Sequence, residues 1–164
     1  MTLSGIQEDI LKFFPEVELP LLISEDQLSD FESNNDPFPK KFLDEIMSLW
    51  ENQSDEFTEY IPCISLPVKN DFISVIYWKG SLLKYDFMLA NIDKQGHAIS
   101  RKSIAGTHVV GESILRSVAY IDTDLNITIM KGQGQADALY DSSMSEKIEL
   151  EILSNGEIVR SEIL

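Results

Sequence analysis

The sequence predicts an α+β fold: three short N-terminal helices packed on a mainly antiparallel, strongly curved sheet or barrel of about eight strands. Three observations lead there. Before residue 56 the apolar residues recur at helical spacing. From Phe57 onward the apolar period drops toward two. The alternating segments are joined mostly by short turns with no helix signal between them, the pattern of consecutive antiparallel hairpins. With 164 residues, the chain is read as one domain, an acidic helical part (1–56) and a β meander (57–164). Fifty-six residues are few for an independent unit, so the boundary divides subdomains.

The first helix is marked by Leu3, Ile6, Ile10, Phe13 and Phe14, which share one face; Thr2 or Ser4 can cap it and Pro15 ends it. The run Leu19 to Ile23 is a candidate extended piece. Ser24 with Gln27 fits a capping box, opening a second helix lined by Leu28 and Phe31. After the turn residues Asn34 to Pro37, Asp36 is expected to cap a third helix whose first turn tolerates Pro37 and Pro39. Its stripe is Phe42, Leu43, Ile46, Leu49 and Trp50.

Strands are expected at 58–66, 71–79, 82–93, 97–105, 113–122, 126–132, 146–153 and 157–163, with a long loop from Gly132 to Ser145. In 82–93 and 146–153 apolar and charged residues alternate, so these strands are half buried. In 71–79, Phe72, Ile76 and Trp78 oppose Ile73, Val75 and Tyr77, and both faces need cover. The three helices are the available cover, placed on one side of the sheet. The strings Ile92-Asp-Lys-Gln-Gly96 and Ile152-Leu-Ser-Asn-Gly156 align, either as a repeat or as two similar hairpin turns.

Charge narrows the function. Lys and Arg number 13 against 28 Asp and Glu, a net of −15, which argues against a face built to coat nucleic acid. No apolar run approaches a membrane span and no signal-peptide pattern opens the chain, so a cytoplasmic protein without a membrane partner is expected. The acidity is uneven: residues 1–56 hold 14 acids and three bases. The single cysteine, Cys63, excludes an intrachain disulfide or a Cys-built metal cage and reads as a small buried hydrophobe.

The candidate chemistry is sparse. Asp122-Thr-Asp124-Leu-Asn126 opens like a calcium loop but lacks the glycine and glutamate that must follow, and a hairpin turn explains the same residues. His97 and His108 are eleven apart and read as turn-flanking histidines rather than ligands, so neither metal nor cofactor is expected. Gly132-Gln-Gly134-Gln lacks the Lys-Ser/Thr of a phosphate loop. Arg101 and Arg116 could bind an anion or form internal ion pairs, and the second is expected in so acidic a chain. Tyr60, Tyr77, Trp78, Tyr85 and Tyr120 could line a ligand site, but a core role is the reading preferred for them. Asn52 and Asn126 head glycosylation sequons that have no meaning without secretion.

From Tyr60-Ile61-Pro62-Cys63 through Tyr77-Trp78-Lys79, Tyr85, Ile92-Asp93-Lys94, Gly96, Ile104-Ala105-Gly106-Thr107 and Ala119-Tyr120-Ile121-Asp122, the chain resembles small β-rich bacterial proteins with a Tyr…Ile-Asp-Lys-x-Gly hairpin pattern. Those proteins have no established activity, so the resemblance implies no site residue. The function expected is that of a non-enzymatic interaction module whose acidic helical surface meets a basic protein. Glu25, Asp26, Asp30 and Glu32 are the principal contacts, with Glu8, Asp9, Asp44 and Glu45 around them. A ligand-binding barrel using the aromatic set, or an enzyme with an unfamiliar site, is the alternative.

Overall fold

The computed structural model describes residues 2–52, 55–67, 70–135 and 141–161, with backbone alone at 134–135 and 141–145. α1 (Gly5–Leu11) opens on a reciprocal capping box: Ser4 Oγ accepts from the Gln7 amide and Gln7 Oε1 accepts from the Ser4 amide. Gln7 also donates through Nε2 to the carbonyls of Asp71 and Ile92, tying the helix to one end of the sheet. α2 (Leu28–Asn34) follows a single 3-10 turn, Glu25–Gln27, in which Gln27 Oε1 accepts from the Ser24 amide.

The third helix, α3 (residues 40–50), contains an α turn, a π turn at Leu43–Met47 and a final α turn. It starts at Lys40, with Pro39 extended at the N-cap, and not at Asp36 as the sequence suggested. Proline drives the preceding residue out of the helical region, so Phe38 cannot join the first turn. Phe38 is buried instead, stacked on Phe42 with ring centres 4.5 Å apart.

The described residues form nine strands: eight answer to the period-two segments, and the remaining one, first in chain order, lies in the extended piece at 19–23. They are β1 (Leu21–Ile23), β2 (Glu59–Leu66), β3 (Ile73–Ser81), β4 (Lys84–Ile92), β5 (Ala98–Val110), β6 (Ser113–Ile121), β7 (Ile127–Gln135), β8 (Asp141–Ile152) and β9 (Ile158–Arg160). β2 to β9 pair antiparallel in chain order. β5 holds β6 at 113–117, and β1 takes over the same strand at 119–121.

The expected barrel or strong curvature is not what forms. The sheet is open and not strongly curled, and its end strands β2 and β9 do not pair. Its first edge is blunted locally. The Ser65 amide donates to Pro15 O, the Val17 amide donates to Ser65 O, and Asn35 Nδ2 donates to the carbonyls of Pro62 and Cys63. An edge covered this way does not need closure to be protected.

The Gly132–Ser145 loop is also corrected. β7 runs through Gln135 and β8 resumes at Asp141, which leaves only 136–140, outside the described residues. Gly132 and Gly134 stay extended because they continue the ladder opposite Arg116 and Ile114, and pairing overrides their low strand preference.

The helices do not lie on one side. α1 and α3 pack with Ile73, Val75, Tyr77, Met88, Ala90 and Ile92. On the other face, Leu28 and Phe31 of α2 and Ile23 of β1 join Ile64, Ile76, Trp78, Phe87 and Leu89, together with Ile121, Ile127, Ile129 and Leu150. β3 is therefore buried on both faces, and Phe72 through Trp78 are all buried. The aligned strings are one hairpin geometry used three times. In Asp93–His97, Asp122–Asn126 and Leu153–Glu157 the first amide donates to the fifth carbonyl and the fourth amide to the first carbonyl. The fourth residue has positive φ in each: Gly96, Leu125 and Gly156.

Candidate functional site

Residues 13–39 contain seven acids (Glu16, Glu18, Glu25, Asp26, Asp30, Glu32, Asp36) and no base. All seven are exposed. Those on α2 are outside because Leu28 and Phe31 turn inward against Phe87, whose ring centre lies 6.3 Å from that of Phe31. Among the described residues none of the seven forms an ion pair. Glu8, Asp9, Asp44 and Glu45 are exposed as well, but they share their surface with Lys12, Lys40 and Lys41, and Lys12 pairs with Asp9 at 3.0 Å. The structure thus divides the predicted acidic set. The part without an ion pair among the described residues is α2 with its flanks, which carries Glu25, Asp26, Asp30 and Glu32; exposed Arg116 of β6 lines one pocket with Glu25 and Asp26.

A groove of about 360 Å³ borders this surface, between the end of α2 and β2. Pro62 is buried in it and Leu43 and Ile61 are half-buried, while Glu32 and Glu59 are exposed. Phe57, one residue before Thr58 of the groove wall, is 79% exposed.

One acid of the helical part behaves oppositely. Glu51 is 4% exposed and accepts from Tyr77 Oη at 2.6 Å, from Lys79 Nζ at 2.6 Å and from Arg101 Nη1. Burial, then the Glu51 charge, push the Tyr77 phenol well above its ordinary range. Burial alone would lower Arg101; the attraction and hydrogen bonds of Glu51 and Tyr77 together outweigh it and hold that guanidinium higher. Trp50 Nε1 donates to Gly96 O nearby, at 2.8 Å. These bonds lock the end of α3 onto β3 and β5. The sequence does carry a signal for Glu51: it lies four residues after buried Met47, on the inner side of α3.

Asp86, also buried, accepts from Ser103 Oγ at 2.6 Å and lies 2.8 Å from His108 Nε2. Here the carboxylate sits between hydroxyl and imidazole. The histidine does not contact the serine, so this is not the arrangement that activates a nucleophile. Both buried acids are structural ties.

The other sequence candidates disperse. Trp78 and Tyr85 stack, ring centres 5.9 Å apart, in the α2-covered core. Tyr60 and Tyr77 meet at 6.2 Å on the opposite face, and Tyr120 stands 46% exposed on β6. The five rings therefore make no common site. Arg101 is in an internal ion pair, while Arg116 is exposed opposite Thr107. His97 is exposed, 4.0 Å from Asp93, and does not join His108. Asp122 Oδ1 accepts the amides of Asn126 and Asp124, both at 2.9 Å, which closes the hairpin turn and lowers the carboxyl pKa. Cys63 is buried and its thiol is pushed far up by that burial.

Among the described residues no group of His, Cys, Asp and Glu is arranged to hold a metal, and no helix is long and apolar enough to cross a membrane. No family model, curated protein or solved structure matches the chain.

Proposed function

We propose that the protein is a binding module that engages a basic partner protein through the acidic surface of α2 and its flanking segments. The observation that carries this reading is the run of seven exposed acids in residues 13–39, with no base in that run and no ion pair among the described residues. The whole-chain charge of −15 exceeds what solubility of a small domain requires, about 2–8 in magnitude. Such a field accelerates encounter with a basic surface and repels nucleic acid. Exposed charges are screened over about 8 Å at physiological salt, so association slows as salt rises. Glu25, Asp26, Asp30 and Glu32 are the contacts assigned.

The test is a pull-down at low and moderate salt, wild type against a variant with Glu25→Gln, Asp26→Asn, Asp30→Asn and Glu32→Gln. The expected outcome is that wild type retains basic proteins which the variant loses and which salt releases. Identical capture with an identical salt response would reduce the acidic surface to a solubility coat.

A further inference from the structure

We infer that the groove between the end of α2 and β2 seats an extended segment of a basic protein, an aliphatic side chain on its floor and flanking Lys or Arg side chains against Glu32 and Glu59. The inference rests on the reading of α2 as a surface for a basic partner and adds where the apolar contact falls.

The groove is preformed, because Asn35 Nδ2 holds the end of α2 to β2 through Pro62 O at 2.7 Å and Cys63 O at 2.8 Å. Those two carbonyls are thereby occupied, and Pro62 has no amide. Recognition there falls to side chains rather than to strand addition. Leu43, Ile61 and Pro62 offer aliphatic surface, and the charged residues lining the groove, Glu32 and Glu59, are both acidic and form no ion pair among the described residues. Asp36 and Glu56, exposed in the adjoining segments, extend the same charge. Phe57 adds an exposed ring whose face can receive a guanidinium. An acidic segment or a phosphate backbone would set like charges together in this groove, and a wholly apolar one would leave its acids facing no counter-charge.

The test uses the full chain and three labelled nonapeptides: a central leucine flanked by arginines, all arginine, and a central leucine flanked by glutamates. Anisotropy at low salt is expected to give binding at least tenfold tighter for the leucine–arginine peptide than for the all-arginine one, and no binding of the glutamate peptide. Its amide chemical-shift changes should centre on Asn35, Thr58 and Ile61. Pro37→Trp, at an exposed position lining the groove, should weaken the leucine–arginine peptide about tenfold and leave the all-arginine one within threefold, with melting confirming the fold. If the two arginine peptides bind alike and the shifts spread over the acidic surface, the groove assignment is overturned while the acidic-surface reading stands. If neither arginine peptide binds, both fall.

Discussion

Substituting Glu51→Gln keeps the shape of the side chain and removes the charge that joins α3 to the sheet. In the native protein this carboxylate, with its side chain 2% exposed, accepts from Tyr77, Lys79 and Arg101. A glutamine offers one acceptor oxygen, so at most part of that set stays satisfied, and its amide group meets cations that cannot accept. Removing one partner of a buried ion pair costs roughly 3–5 kcal/mol when the other is fully buried. Lys79 and Arg101 are 24% and 32% exposed and recover some hydration, so the lower part of the range applies, about 3 kcal/mol. For a domain of this size that is a fall in melting temperature of roughly 6–12 °C. Thermal and urea unfolding of Glu51→Gln, Tyr77→Phe and the double variant measure it. Tyr77→Phe alone should cost about 1.5–3 kcal/mol, as a hydrogen bond to a charged acceptor, and the two losses should be far from additive. A change below about 0.5 kcal/mol for Glu51→Gln would refute the claim that this cluster pins the helical layer, since that is the range of ordinary surface substitutions.

Three further outcomes follow from the same packing. A 57–164 fragment should aggregate or fail to unfold cooperatively, because Val75, Tyr77, Ala90 and Ile92 would lose the cover of α1 and α3; a soluble, cooperative fragment would make the helices an appendage. Stability should fall as pH rises above about 9, because Cys63 and Tyr77 hold their protons in the folded state while the unfolded chain releases them, each group contributing a slope of about 1.4 kcal/mol per pH unit once its unfolded form has titrated. Both contributions are complete below those unfolded values, so Cys63→Ala should shift the onset toward pH 10, as followed by circular dichroism. Gly106→Ala should prevent stable folding, since its Cβ would lie 2.0 Å from Tyr85 O at a φ of +146°, whereas Gly5→Ala meets nothing within 4 Å and should be neutral or stabilising by melting temperature.

Much of this protein follows from local pattern alone. The period-two alternation and its turns placed eight strands in order, because side-chain direction alternates along any strand and Gly, Asn and Asp mark the reversals. Ser24 with Gln27 marked the turn that opens α2, and Ser4 was one of two caps offered for α1; both act through bonds between residues three apart. The acidity of α2 was legible for the same reason, being composition on a short segment.

Tertiary structure decided what depends on residues distant in sequence. Whether the sheet closes depends on what covers its first edge, here Pro15 to Val17 and Asn35. Which face each helix covers depends on chain path: both faces of β3 are apolar, so the alternation could not assign α2 to one and α1 and α3 to the other. Glu51 lies 26 residues from Tyr77 and 50 from Arg101, and no spacing rule on one element joins positions so far apart. Hydrophobic period records that a residue is buried; which partners it meets there is set by how strands and helices stack, and that is a property of the whole chain.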